Sequence, residues 1–151
     1  MSTSVWVSRR MHELKHLVVI NAPADAVYRA IAEQAGLAGW WTTDTVAEPA
    51  VDSIAEVRFG DRYLNRMRIA RLDPDSHVEW VCLDGDREWI DTTFTFDLEA
   101  RGDQTIVRFE HGNWRHKKDF FANCNTHWGA YMRSLKSYCE TGTGDPFTDN
   151  D

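Results

Sequence analysis

The stretch KKDFFANCNTHWGAYMRSLKSYCE, residues 117–140, decides the fold. Its apolar residues recur at spacings of three and four, which places them on one stripe of a helix: Phe120, Phe121, Cys124, Trp128, Tyr131, Met132, Leu135, Tyr138 and Cys139. The opposite face carries side chains that belong in water, such as Lys118 and Arg133. Gly142 and Pro146 follow where a helix stop requires them. The sequence therefore predicts a long amphipathic helix whose aromatic stripe must be covered.

Length, charge and cysteine content limit the possible classes of protein. A chain of 151 residues has the size of one domain and can bury a core without disulfides. Its formal charge of −7 argues against nucleic acid or an anionic membrane as the main partner. No stretch approaches the ~20 apolar residues of a membrane span. The three cysteines, Cys82, Cys124 and Cys139, are an odd number without metal-ligand spacing. We therefore predict reduced thiols and a cytoplasmic protein without a metal or cofactor.

The rest of the chain predicts an α+β domain. Residues 1–12 are predicted to form an N-terminal extension, residues 13–147 a single domain and residues 148–151 a tail. A strand at residues 14–21 precedes two short helices, which we expect Gly36 to separate. Six further strands are predicted at residues 45–48, 54–60, 64–73, 76–83, 89–99 and 104–112. Together with the closing helix they predict a curved seven-stranded antiparallel sheet with one face covered by that helix.

Pairing across the Asp73-Pro74-Asp75-Ser76 turn predicts which side chains face inward. If Asp73 lies opposite Ser76, Ile69 lies opposite Trp80 and Met67 lies opposite Cys82. In the other strands, every second side chain is predicted to face the covered side of the sheet. These inward-facing side chains are Ala55, Val57, Phe59, Ile90, Phe94, Phe96, Leu98, Val107, Phe109 and His111. His111 follows Val107 and Phe109 at the same two-residue spacing and is the one polar residue among these inward-facing positions.

The order of elements and several local motifs resemble a known superfamily. Val19-Ile20-Asn21-Ala22-Pro23-Ala24-Asp25-Ala26-Val27-Tyr28 and Leu37-Ala38-Gly39-Trp40-Trp41 are similar to the opening strand and helices of the START and polyketide-cyclase (SRPBCC, birch-pollen-allergen-like) superfamily. The ending from Trp128 to Phe147, with Gly144-Asp145-Pro146-Phe147, resembles the branch related to the activator of the heat-shock-chaperone ATPase. The resemblance covers residues 14–147 and implies the helix-grip fold, which hosts many unrelated functions.

The resemblance also implies a cavity between the curved sheet and the long helix. The inward residues that would line it are Trp40, Trp41, Phe59, Met67, Ile69, Trp80, Phe94, Phe109, His111, Phe121, Trp128 and Met132. Each of these side chains is either a ligand contact or part of a packed core. His111 could accept or donate a proton or bind a ligand carbonyl, or it could be a structural histidine bonded to neighbouring groups.

Three classes of function follow from these patterns. The first is a binding protein for a small hydrophobic or aromatic molecule, because the predicted lining offers desolvation and stacking and almost no acid or base. The second, implied by the resemblance, is a chaperone-assisting or other protein-interaction role without a bound ligand. A cyclase or hydrolase comes last, because catalysis needs a second polar residue to work with His111. The alternation of the strands supplies none unless a bulge turns Asp91, Glu79 or Arg58 inward.

Overall fold

The chain folds as one antiparallel sheet that wraps around a long helix. The computed structural model describes residues 11–61 and 63–148. Its elements are β1 (His12–Ile20), α1 (Ala24–Ala32), α2 (Gln34–Trp40), β2 (Asp44–Val46), β3 (Ile54–Phe59), β4 (Tyr63–Asp73), β5 (His77–Asp84), β6 (Thr93–Arg101), β7 (Gln104–Trp114) and α3 (Asp119–Thr141). The strands lie in the order β1-β7-β6-β5-β4-β3-β2. This architecture confirms the predicted seven-stranded α+β helix-grip fold.

Helix α3 covers the concave face of the sheet with its aromatic stripe. Trp128 is only 2% exposed, and its ring lies 4.3 Å from that of Phe109 and 5.9 Å from that of Phe94. Polar bonds fix both flanks of the helix. Lys136 Nζ donates to the carbonyl of Val19 on β1 at 2.6 Å, so the helix also covers the edge strand of the sheet.

The β4–β5 hairpin keeps the predicted facing in spite of a longer turn. Ile69 pairs with Trp80 and Met67 with Cys82, as the parity predicts, but Asp73 pairs with His77 and not with Ser76. A register shift between Ile69 and Arg71 compensates for the extra turn residue. This bulge returns the strand to phase, and without it every inward side chain beyond the turn would point outward.

The structure corrects two predicted boundaries. The break between α1 and α2 lies at Glu33, which has extended backbone angles, and Gly36 lies inside α2. Strand β6 begins at Thr93, four residues later than predicted, because residues 86–92 form a turn. Ile90 lies in this turn and is 36% exposed, so its predicted inward position is wrong.

The ends of the chain are described only in part. Of the predicted extension at residues 1–12, residues 1–10 lie outside the described residues, and His12 already belongs to β1. Of the predicted tail at residues 148–151, only Thr148 is described. Among the described residues, no helix combines the length and apolar character that crossing a bilayer requires.

Gly36 allows α1 and α2 to approach closely. A Cβ added at this position would overlap the backbone of Ala30 in α1. The same carbonyl of Ala30 accepts a hydrogen bond of 2.8 Å from the indole of Trp40, so the contact ties together the two helices and the core. Backbone cannot move aside as a side chain can, and the position therefore excludes larger residues.

We predict opposite effects for two glycine-to-alanine variants in helices. Gly36→Ala should lower the free energy of unfolding by about 1–3 kcal/mol through overpacking. Gly129→Ala should raise it by up to ~1 kcal/mol, because alanine favours the helix and the nearest atom to its Cβ would be His16 Cε1 at 3.5 Å, an ordinary contact. Urea unfolding of both variants measures the difference, and equal stability of the two would contradict this account of the α1–α2 contact.

Candidate functional site

An open pocket lies between α3, the β3–β4 turn and the loop that joins β5 to β6. Its volume is about 540 Å³. Aromatic rings form most of its wall, and we call it the aromatic pocket. Its lining is Trp41, Phe59, Gly60, Asp61, Asn65, Asp86, Trp89, Phe120, Asn123, Cys124, His127, Trp128, Tyr131 and Phe147. Its size falls within the range of small-molecule sites, roughly 300–1,000 Å³.

Trp41 forms the back of the pocket. Its ring stacks between those of Trp80 and Trp128 at centroid distances of 5.3 and 5.4 Å. The ring of Phe59 meets it edge-on at 5.5 Å. The residue ends α2, where its backbone N–H donates to the carbonyl of Leu37 at 2.8 Å. A large side chain held on both faces and by its backbone gives the pocket a rigid base.

Phe147 closes the pocket from the C-terminal segment. Its N–H donates to the carbonyl of Trp41 at 2.9 Å, and its own carbonyl accepts from the N–H of Thr43 at 3.1 Å. These two bonds place the ring of Phe147 at 5.6 Å from that of Phe59. The residues after α3 are therefore part of the pocket wall.

His111 links two other walls of the pocket through a chain of hydrogen bonds. The indole Nε1–H of Trp128 donates to His111 Nδ1 at 3.2 Å, and His111 Nε2 lies 2.9 Å from Thr92 Oγ1. The hydroxyl of Thr92 donates in turn to the carbonyl of Trp89 at 2.6 Å. Because an indole can only donate, Nδ1 carries no proton and Nε2–H donates to Thr92. The imidazole is thus neutral, and both of its nitrogens are used within the protein.

The surroundings of His111 keep it neutral. The side chain is 0% exposed, and its ring stacks on Phe94 at 3.9 Å. Burial lowers the pKa of His111 well below the ordinary value of 6.5. A proton on Nδ1 would face the indole N–H of Trp128 and would break the chain of hydrogen bonds. His111 therefore positions Trp89 and Trp128 and does not itself line the pocket.

Cys124 lines the pocket with a protonated thiol. Burial raises the pKa of Cys124 to about 11, although a hydrogen bond from Trp89 opposes part of this shift. This contact is weak, because the indole Nε1 of Trp89 makes no hydrogen bond of ordinary length and angle within the described residues. A thiol with so high a pKa is a poor nucleophile at neutral pH.

The polar groups of the pocket gather on its rim. Asp61 lies in the β3–β4 turn, Asp86 follows β5, and Asn123 and His127 lie one turn apart on α3. Asn65 is 2% exposed, and its Oδ1 accepts a bond of 3.2 Å from the N–H of Asp86. The pocket thus combines an aromatic interior with an acidic and amide-bearing mouth.

The structure divides the predicted lining into two groups. Trp41, Phe59 and Trp128 line the aromatic pocket. The remaining predicted residues are buried among the core side chains: Trp40, Met67, Ile69, Trp80, Phe94, Phe109, His111, Phe121 and Met132. The open space therefore lies toward the β3–β4 turn, at one end of the predicted cavity.

Other pocket residues come from segments that lie outside the observed strands. Trp89 and Asp86 lie in the β5–β6 loop, and Phe147 follows the last helix. Tyr131 and Phe120 belong to the helical stripe, and their position in it indicates burial without distinguishing core from pocket. The signal that could have revealed Phe147 is the Gly144-Asp145-Pro146-Phe147 ending, which the resemblance marks as part of the domain.

The fold and the pocket define a helix-grip protein of the START-like, polyketide-cyclase-like class. Within that class, the family model for activator of Hsp90 ATPase homolog 1-like proteins matches residues 21–140, and the chain belongs to this family. Among curated proteins, no match to the chain is found.

Solved structures support the same assignment. The Aha1 dimer from Colwellia psychrerythraea is 34% identical, with a TM-score of 0.80 over 88% of this chain and 99% of that one. DynU16, a putative protein in the dynemicin biosynthetic locus, is 18% identical, with a TM-score of 0.74 over 91% of this chain and 50% of that one. CalU16 from Micromonospora echinospora is 14% identical, with a TM-score of 0.71 over 85% and 74% of the two chains. The last two likenesses show the fold alone.

We predict that His111 makes stability depend on pH. Its pKa is lowered in the folded state, whereas an unfolded histidine takes up a proton near pH 6.5. The unfolded state therefore gains protons as the pH falls below that value, and the stabilisation present above it is lost. The free energy of unfolding should fall by up to ~1.4 kcal/mol per pH unit from this residue alone.

Urea unfolding at pH 7, 6 and 5 measures this slope. In His111→Gln the slope should decrease by the contribution of one proton, whereas the exposed-site control His116→Gln should keep it. An unchanged slope in His111→Gln would show that the buried imidazole is not the group responsible.

Proposed function

We propose that this protein binds a small apolar or aromatic ligand in the aromatic pocket. The observation that carries the proposal is the open space of about 540 Å³ beside an otherwise filled aromatic core. Nine of the twelve side chains predicted to line a cavity are packed together instead, so the space at the mouth is not a consequence of loose packing throughout. An apolar ligand would cover the exposed faces of Phe59, Phe120 and Phe147.

Binding is favoured over catalysis by the groups that face the pocket. General acid–base chemistry needs a proton donor or acceptor within reach of the substrate. His111 is bonded at both nitrogens and lies behind the wall. Cys124 faces the pocket with its thiol protonated. The interior therefore supplies surface for desolvation and stacking, and the reactive groups that remain lie on the rim.

A panel of fatty acids, flavonoids and sterols should contain compounds that change tryptophan emission saturably. Trp41, Trp89 and Trp128 line the pocket and would report a bound molecule directly. Micromolar affinity is expected, which corresponds to about −8 kcal/mol. A flat response to the whole panel would contradict ligand binding in the pocket.

A blocking variant locates the binding site. Asn123 is exposed on α3 and lines the pocket, whereas the neighbouring Ala122 is exposed and does not. Asn123→Phe should weaken the binding of an active compound by about tenfold, or ~1.4 kcal/mol, and Ala122→Phe should leave it unchanged. Equal effects of the two variants would place the binding site elsewhere.

Family membership favours a second candidate, an interaction with another protein. The matched family model is that of activator of Hsp90 ATPase homolog 1-like proteins, and the 34% identical neighbour from Colwellia psychrerythraea is a dimer. If this second function is correct, the aromatic pocket holds no ligand and an outer surface of the domain binds the partner protein.

The two candidates give different results in a chaperone assay. If protein interaction is the function, the purified chain should raise the ATP hydrolysis rate of an Hsp90-type chaperone, and Asn123→Phe should raise it equally. Bovine serum albumin at the same concentration serves as the control. No increase in the hydrolysis rate would contradict the chaperone-assisting candidate and leave the ligand-binding proposal unaffected.

A further inference from the structure

The carboxylates among the described residues that line the aromatic pocket have no lysine or arginine counterpart there. Asp61 and Asp86 line it, and no lysine or arginine does so among residues 11–61 and 63–148. Basic side chains do occur nearby, but Arg87 and Lys118 line a separate depression on the other side of Asp86. The mouth of the pocket therefore presents negative charge to an entering molecule.

Both carboxylates lack a cationic partner within the described part of the chain, unlike their neighbours. Asp84, two residues before Asp86, pairs with Arg66 at 3.3 Å. Asp91, at the end of the same loop, pairs with Arg115 at 3.4 Å. Two acidic residues near Asp86 are thus paired with arginines, whereas no ion pair engages Asp61 or Asp86 within residues 11–61 and 63–148.

Asp86 is held in place toward the pocket. Its backbone N–H donates to Asn65 Oδ1 at 3.2 Å, and its Oδ1 accepts from the N–H of Glu88 at 2.9 Å. Gly85 permits this arrangement, because a Cβ at that position would collide with Asn65 Oδ1. A carboxylate whose backbone and side chain are both fixed loses little conformational freedom when a ligand binds.

The walls supply a second means of binding positive charge. The face of an aromatic ring attracts cations through its quadrupole, most strongly for tryptophan. Both faces of Trp41 are covered by Trp80 and Trp128, so the rings that a cation could meet are those of Trp89 and of the three phenylalanines that line the pocket, Phe59, Phe120 and Phe147. Aromatic rings surrounding a cation and carboxylates at the rim are the two features by which proteins recognise organic ammonium groups.

We propose that the aromatic pocket selects organic cations, namely aromatic or alkyl amines and quaternary ammonium compounds, over neutral and anionic ligands of the same shape. This inference rests on the ligand-binding function proposed above and names its ligand class. The apolar part of the ligand would lie against Trp41 and Phe59, and its ammonium group would lie toward Asp61 and Asp86.

Two isosteric probes and an anion on the same naphthylmethyl scaffold test the proposal by equilibrium dialysis at low ionic strength. They are (2-naphthylmethyl)trimethylammonium, its uncharged isostere 2-neopentylnaphthalene, and the anion 2-naphthylacetate. The cation should bind about tenfold more tightly than the neutral isostere, and the anion more weakly than both. Raising the salt concentration should reduce the preference for the cation, because the rim is exposed.

Charge-neutralising variants assign the preference to the rim. Asp61→Asn combined with Asp86→Asn should bring the affinities for cation and neutral isostere to within about twofold of each other through loss of the ion pairing, with little change for the isostere. The amide oxygen of asparagine can still accept the bond from Glu88, so the loop is preserved. Asp75→Asn combined with Asp103→Asn removes the same two charges from exposed turns that do not line the pocket and should preserve the preference.

The outcomes separate the inference from the function on which it rests. Binding of all three probes with equal affinity, or preference for the anion, would overturn cation selectivity and leave ligand binding supported. A preference that survives in the double variant would overturn the assignment to Asp61 and Asp86. No binding of any probe by folded protein that binds a compound of the panel would overturn cation selectivity alone, whereas no binding of the probes or of any panel compound would overturn both proposals.

Discussion

The hydrogen bond from the Trp128 indole to His111 is the interaction on which the pocket depends. An apolar stripe packs without strong directional preference, so burial alone would let α3 slide or rotate against the sheet. One donor and one acceptor buried in that interface admit a single arrangement, since any other strands both in the core at ~1–3 kcal/mol each. The chain of bonds continues through Thr92 to the carbonyl of Trp89. The same contact that positions the helix therefore also sets the distance between two walls of the pocket.

The position of the pocket follows from how the core is filled. Trp80 lies within 5.1 Å of Phe96 and 6.0 Å of Phe94, measured between ring centroids, so bulky rings occupy the middle of the concave face. Space remains toward the β3–β4 turn, where Gly60 has no side chain and a Cβ would come no closer than 3.6 Å to Phe147. The helix-grip fold provides a volume between sheet and helix, and these side chains decide which part of that volume stays open.

Features that depend on periodicity could be predicted from the sequence. The stripe of α3 and the facing of Ile69 and Trp80 repeat a regular spacing, and a bulge restores that spacing where the β4–β5 turn departs from it. The pocket could be predicted only in part. Trp89 and Phe147 reach it from irregular segments that follow no period, and the hydrogen bonds that place them join distant parts of the chain. Periodicity also cannot separate a buried ring such as Phe94 from a pocket wall such as Phe59, because both satisfy the same inward pattern.

The arrangement of polar groups explains why the same residues that build this site limit its chemistry. The inward imidazole could act as an acid or a base only if one nitrogen were free, but both are committed to Trp128 and Thr92. Releasing either nitrogen would loosen a wall of the pocket, so a catalytic role for His111 would conflict with its positioning role. Burial likewise raises the pKa of Cys124 to about 11 and removes the thiolate from use at neutral pH. Of the described residues that line the pocket, the carboxylates Asp61 and Asp86 lie on its rim. The buried imidazole lies behind its wall, and this is the arrangement expected for the ligand-binding function proposed above.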